Sequence, residues 1–315
     1  MKEFDILTIG DLNVDIILNK IESAPVVGKE ILCEEMETTI GGSATNFAYN
    51  ASSLGSKVAF LGMLGNDTNG HYIIDMFQAN DINTDHIIQS DLHGTGATVA
   101  LSYDEERAMV TYQGAMAHLS LEDVQDSHLA IAKHMHVASI FLQPKLKKDV
   151  VELFARAKKA GMTTSLDPQF DPSENWDLDL EKLLRNVDVF MPNETELHLL
   201  TGIEDVEQAV LSLKNVLNCI VVKQGNKGSL MYHEGEFFQR DAYLNDQVVD
   251  AIGAGDSFDA GFIHHLVQGK PYLECQDFGN LTGAVSTTGA GGTAVIKNVE
   301  SVIKIGKERF AYQGE

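Results

Sequence analysis

The second half of the chain alternates short β-branched or apolar runs with amphipathic helical windows, and no other feature constrains the fold as tightly. The runs are His134 to Ile140, Met162 to Leu166, Val187 to Met191 and Cys219 to Lys223, and the helical windows cover 145–160, 178–185 and 193–216. A strand–helix–strand rhythm specifies a parallel sheet with helices on both faces, so the fold class is α/β. The N-terminal run Phe4 to Gly10 reads as another strand, with Asp11 and Asn13 just past its end. That end is where an open α/β sheet places ligands. No repeat, low-complexity tract or Pro/Ser-rich linker divides the 315 residues, so one domain over 1–315 is expected.

Residues 12–38 and 95–113 break the rhythm: they read as strands with no helix between them, which makes a small sheet beside the main body. We expect a lid over a site that must exclude water, although a flap used only for dimerisation explains the same pattern. Ile16-Ile17-Leu18 and Thr98 to Leu101 put an apolar face on that thin flap, and a homodimer built through the lids would cover it.

Charge narrows the partners. Against 46 Asp plus Glu stand 23 Lys plus Arg, a net of −23 that repels polyphosphate backbones and anionic lipid. The densest basic stretch, Lys145, Lys147 and Lys148, reads as a solvated helix face, so neither nucleic acid nor membrane is expected as a partner. Cys33, Cys219 and Cys275 are too far apart for a metal or redox pair, which suggests a reducing compartment and structural roles for all three. The N-terminus lacks the signature of a signal peptide, and no apolar run approaches the roughly 18 residues of a membrane span. A cytoplasmic protein is expected.

Two glycine-rich turns carry the chemistry. The later one is Asp250-Ala251-Ile252-Gly253-Ala254-Gly255-Asp256-Ser257-Phe258, followed by a stripe of Phe258, Phe262, Ile263, Leu266 and Val267 that marks a helix with one buried face. Gly253-Ala254-Gly255 then forms its first turn, where unpaired amides and the positive helix end hold an anion or a transferring phosphoryl group. Asp256 beside them could accept a proton from an alcohol. The same residues also suit an ordinary glycine-initiated helix with a first-turn acid.

The earlier turn is Ile40-Gly41-Gly42-Ser43-Ala44-Thr45-Asn46, opening a helix with Ser43 as its expected cap and Gly55 as its stop. Asp11, Asn13, Asp15 and Asn46 are hydroxyl-binding groups, suited to a sugar or ribose. Asp15 alternatively fits a turn without any ligand. The P-loop and the dinucleotide-binding G-x-G-x-x-G are both absent, as are H-E-x-x-H and the G-x-S-x-G elbow. The pairs His134/His136 and His264/His265 read as core or surface residues.

Together the two turns resemble the signatures of the ribokinase-like (PfkB) carbohydrate kinase family. Gly62 to Gly70 resembles its G-x-x-G-x-D-x-x-G segment and Asn193-Glu194-Thr195-Glu196 its N-x-x-E motif, all in the family's order. The resemblance implies a ribokinase-like three-layer sandwich with a nine-stranded, mostly parallel sheet and a β lid. It also implies transfer of the γ-phosphoryl of ATP to a sugar or nucleoside hydroxyl. By it, Asp256 is the base, the amides of Gly253, Ala254 and Gly255 are the anion hole, and Asn13, Asp15, Gly41, Gly42 and Asn46, with Asp11 adjacent, bind the acceptor. Glu196 would hold Mg²⁺ through water and Asn193 would meet phosphate. Lys223, Gly225 and Gly228 would form the turn beneath the nucleotide, with Asn280 walling the adenine. Asp250 would bind a monovalent cation such as K⁺.

The sequence departs from the family pattern in three places. Asp-x-Asn-x-Arg becomes Asp167-Pro168-Gln169-Phe170-Asp171, so one cation for the phosphates is missing and Lys223 or the metal must compensate. Met116 replaces an amide in Gly114-Ala115-Met116-Ala117, which implies a less polar or differently shaped acceptor, and Gly41-Gly42-Ser43-Ala44 disfavours ribose itself. The expected activity is phosphorylation of a small sugar or sugar acid. A nucleoside kinase, with Phe141 or Tyr112 against the base, and a non-catalytic sugar sensor are the competing readings.

Overall fold

The computed structural model describes residues 2–103 and 106–314; residues 104 and 105 of the expected lid lie outside them. The main sheet contains β1 (Phe4–Ile9), β4 (Val58–Gly65), β5 (Asn83–Ser90), β8 (Ala132–Ala138), β9 (Thr163–Asp167), β10 (Val189–Phe190), β11 (Cys219–Lys223), β12 (Ser229–His233) and β13 (Glu236–Arg240). Their order is β13-β12-β11-β10-β9-β8-β1-β4-β5, parallel from β11 to β5 and antiparallel only at the β12–β13 edge. A second sheet, in the order β3-β2-β6-β7, contains β2 (Asn13–Ile21), β3 (Cys33–Gly41), β6 (Gly96–Tyr103) and β7 (Glu106–Tyr112).

Successive residues of β1 explain the layering. Ile6 faces one core with Phe47, Phe60, Phe77 and Phe262, whereas Leu7 and Ile9 face another with Leu153, Phe154 and Leu197. Side chains alternate across a strand, so a strand apolar on both faces is covered by helices on both. The chain leaves β1 for β4 and β5 on one side, then returns to β8 on the other, and the resulting crevice lies at the carboxyl ends of β1 and β8. Asp11, Ser139, Asp167 and Lys223 all stand at that edge.

Several elements differ from the sequence expectations. The helical window 145–160 splits at Asp149 into Pro144–Lys148 and Val150–Lys159. The window 193–216 splits into Glu194–Thr201 and Val206–Leu213, because Gly202, at φ 72°, ends the first helix in a left-handed cap. Strand β3 continues three residues past the expected limit of 38, which brings Gly41 into register with Asn13. Helix Ala254–Val267 is buried all round from Asp256 to His264 because helices Ser43–Ser53 and Tyr272–Ser286 pack on its two flanks. A methyl group on Gly261 would collide with Thr282, so the glycine sets that close approach.

The histidines behave as read. His134 and His136 both bond Ser165 Oγ at 2.7 Å, His136 stacks on Phe47, and burial pushes its pKa down to about 3. Cys219 and Cys275 are buried, but Cys33 is exposed on β3 and so holds no core together. Among the described residues no helix is long and apolar enough to cross a membrane.

Candidate active site

Helix Ala254–Val267 begins at Gly253, whose φ of 70° is a left-handed conformation that suits glycine. This puts Asp256 in the first turn, 7% exposed, facing helix Ser43–Ser53. Its carboxylate accepts from the Ser43 hydroxyl, from Asn46 Nδ2 at 2.9 Å and from Gln169 Nε2 at 3.2 Å. Burial lifts its pKa to about 6, with the hydrogen bonds of Ser43 and Asn46 acting in the opposite direction. A carboxylate with that value is ionised at neutral pH and still basic enough to take a proton.

Two of these partners escaped the sequence reading. Gly42, at φ 95°, is the N-cap of helix Ser43–Ser53, and Ser43 sits one position inside it, free to turn its hydroxyl to Asp256. Asp11 supplies the cap from outside: its carboxylate accepts from the Ser43 N–H at 3.1 Å and the Ala44 N–H at 2.9 Å. Gln169 holds a left-handed φ of 60°, uncommon for its type, and its amide spans Asp167 Oδ2 at 2.7 Å and Asp256. The sequence showed only a departure from the family pattern at that spot.

The glycine pair also has a different reason than expected. Side chains at Gly41 and Gly42 would strike Asp15 in the first case and Asn13 and Asp11 in the second, so the glycines make room for the protein's own polar groups. Asn13 Nδ2 donates to Asp15 Oδ1 at 2.8 Å, and burial lifts Asp15 to about 6 and Asp11 to about 7.

Across the crevice, Lys223 Nζ lies 2.6 Å from Asp167 Oδ2 and 3.0 Å from Asp259 Oδ2. Burial presses the lysine pKa down, but the two carboxylates outweigh it and carry it up. Burial likewise opposes ionisation of Asp167, and Lys223 wins there, whereas burial holds Asp259 well above the carboxylate range. The ammonium group is thus shared by two buried carboxyl groups, of which Asp167 is the more readily ionised.

Asn193 and Glu196 form a capping box on helix Glu194–Thr201, with Asn193 Oδ1 accepting from the Glu196 N–H at 2.8 Å and Glu196 Oε2 from the Asn193 N–H at 2.9 Å. The N-x-x-E spacing therefore has a local structural cause besides any ligand. Burial lifts Glu196 to about 7, Asp167 raising it further and Lys223 lowering it. Among the described residues no three metal-ligating side chains converge. A buried carboxylate with one oxygen already spent on the Asn193 N–H fits Mg²⁺, which keeps several waters and takes other oxygens from phosphate.

The turn at Gly225 and Gly228 follows β11 with φ values of 56° and 90°. Asn280, 7% exposed on helix Tyr272–Ser286, leaves Nδ2 without a partner. Asp250 joins two loops, accepting from the Ile252 N–H at 2.8 Å and the Gly291 N–H at 3.0 Å.

Beside this cluster opens a cleft of about 1380 Å³ between β7 and the loops after β8 and β9, walled by Tyr112, Gln113, Phe141, Lys147 and Phe170. Asp256 is not among its walls; Phe170, which is, directly follows Gln169, a partner of Asp256. Met116 is fully buried and fills the space above Gly96, so it does not face the cleft as its substitution pattern implied. Phe141 is covered by Trp176, edge-on at 5.4 Å, and by Lys147.

A mostly parallel nine-stranded sheet, a four-stranded sheet beside it, and an acid in a glycine-opened helix turn at the crevice define a sugar-kinase type of phosphotransferase. The chain belongs to the pfkB family of carbohydrate kinases, matching it over residues 3–298. It is 29% identical to the ribokinase of Arabidopsis thaliana over 95% of this chain and 80% of that one. The solved structure of that enzyme with ribose and ATP superposes with a TM-score of 0.84 at 27% identity, covering 96% and 98% of the two chains. The 5-dehydro-2-deoxygluconokinase of Lacticaseibacillus casei is 26% identical over 84% and 83%. Adenosine kinase from Sinorhizobium meliloti, 26% identical, covers 97% and 99% with a TM-score of 0.82.

Proposed function

We propose that this enzyme transfers the γ-phosphoryl group of ATP to a hydroxyl of a small sugar or sugar acid. The observation that carries the reading is Asp256, held by Ser43, Asn46 and Gln169 in the first turn of a glycine-opened helix. Asp256 takes the proton of the acceptor hydroxyl, and the amides of Gly253 and Gly255 stabilise charge on the transferring group, whereas the Ala254 N–H, expected to join them, donates to the Ala251 carbonyl at 3.3 Å. Asn13 and Asp15 grip the acceptor's other hydroxyls; Asn46 orients the base. Asn193, Gly225, Gly228 and Asn280 line the nucleotide side, where the unpartnered Asn280 amide has a donor to spare. Mg²⁺, held through water by Glu196, neutralises phosphate charge when bound. Asp250 is the candidate for a K⁺ site.

The small sheet acts as a lid, and the exposed Met36, Met109 and Val110 on it favour pairing with a second copy. A nucleoside acceptor is the second reading, favoured by a cleft roomier than a monosaccharide needs. The test is ATP consumption against pentoses, hexoses, keto sugar acids and nucleosides. Turnover with one class names the acceptor, and silence across all of them together with tight sugar binding would replace the kinase by a sensor.

A further inference from the structure

Lys223 is the last residue of β11, and its ammonium group points over the first turn of helix Ala254–Val267. A Cβ built on Gly255 would lie 3.6 Å from Nζ, ordinary contact distance, so the cation stands directly beside the helix mouth. The lysine is 11% exposed. Among the described residues it is the one Lys or Arg in contact with any of the six acids of the site, Asp11, Asp15, Asp167, Asp256, Asp259 and Glu196. Position 171, where the family pattern has arginine, is folded away: Asp171 accepts from the N–H groups of Ser173 and Trp176.

A buried ion pair seldom repays its desolvation, so stability alone gives weak cause to bury one. This one is also incompletely satisfied, since Asp259 Oδ1 is buried without a partner. We propose that Lys223 is the fixed positive charge that meets the phosphoryl group in transit, in place of the missing arginine, and that Asp167 and Asp259 position it. The proposal rests on the phosphoryl-transfer reading of the helix mouth. In that step the acceptor oxygen bonds to the γ-phosphorus, the bond from that phosphorus to the bridging oxygen breaks, and ADP leaves with the electron pair. The hydroxyl proton passes to Asp256; Lys223 stays protonated and exchanges none.

The test compares Lys223→Met with the double variant Lys223→Met/Asp167→Asn, which removes the cation together with the acid it holds ionised, Asp259 remaining as the acid whose pKa burial raises. Lys223→Met is expected to lower kcat by about 10²–10³-fold, with acceptor binding little changed. The double variant is expected to regain the melting temperature and not the rate. Wild-type-like turnover by the double variant would reduce Lys223 to a counter-ion and overturn the proposal. In the wild-type protein, the ¹⁵N resonance of Lys223 Nζ, assigned with Lys223→Arg, is expected to move on adding Mg²⁺, ADP and fluoroaluminate; a resonance that stays put also overturns it. Asp256→Asn in the same assay separates the two ideas, because normal turnover there removes the phosphoryl-transfer reading itself.

Discussion

Asn46 Nδ2 lies 2.9 Å from Asp256 Oδ2, although 210 positions separate the two residues in the chain. The contact joins the early glycine turn to the late one, so the groups proposed to bind the acceptor and to take its proton share a single hydrogen-bonded unit. Asn46 Oδ1 is buried and unpartnered, which leaves the amide one acceptor to offer an incoming hydroxyl.

Replacing Asp256 by Asn keeps the size of the side chain and removes the base. The variant is expected to fold, with an unchanged circular dichroism spectrum, and to lose about 10²–10⁴-fold in turnover. Phosphorylation at the normal rate by this variant would sink the assignment.

The acid limb of the pH–rate profile should report Asp256. Its pKa of about 6 means activity rises with pH through that value and levels off above it. Asp167, Lys223 and Glu196 surround it and set the field. The Asn46 bond favours the charged form, so Asn46→Ala should move the limb to higher pH. A limb that stays in place or moves lower would show that Asn46 does not tune the base.

Buried acids also predict how the ligand-free protein responds to pH. Asp11 at about 7, Asp15 and Asp256 at about 6, and Glu196 at about 7 all stand above their unfolded values. Each holds a proton more firmly folded than unfolded, so its contribution is full at low pH and disappears as pH rises through the folded pKa. These acids pull the melting temperature of the ligand-free enzyme down as pH rises from about 4 to 7, while His134, His136 and His264, kept neutral by burial below their unfolded value, push it up over nearly the same range. Glu196→Gln removes one of the opposing acids and should make the melting temperature rise more steeply with pH across that range; an unchanged slope by scanning calorimetry would contradict the burial-driven shift of Glu196.

Gly41→Ala tests the packing of the early turn. The added methyl would land on the Asp15 carboxylate, and displacing it should cost about 1–3 kcal/mol of stability. Acceptor KM should rise ~tenfold, as loss of about 1.4 kcal/mol of binding implies, with nucleotide KM unchanged. Equal changes in both would place Asp15 away from the acceptor.

The exposed Met109 and Val110 on β7 predict self-association, since edge strands with apolar side chains seek cover. Light scattering at micromolar concentration should give twice the chain mass, and Val110→Asp should return it to one. A wild-type monomer would leave the face to the lid alone.

The βαβ rhythm was legible because parallel strands buried on both faces read as continuous apolar runs, as Cys219 to Lys223 does. The late helix looked one-sided, since Asp256, Ser257 and Asp259 are polar; their burial depends on partners such as Asn46, Asn50 and Lys223, which lie far off in sequence. Ser43 and Gln169 were missed for the same reason. Each acts on a residue more than 80 positions away, and no local spacing announces such a bond. Asp11, by contrast, was singled out as a ligand group because its work as a helix cap is done across a gap of 32 residues.

Only Gly10, Asp11 and Leu12 separate the central strand β1 from β2 of the small sheet. Asp11 is clamped to the amides of Ser43 and Ala44, and Ser43 in turn touches Asp256. Rocking of the small sheet would thus tug on the same three-residue strap that anchors Ser43, making the seat of that sheet and the aim of the Asp256 carboxylate one mechanical variable.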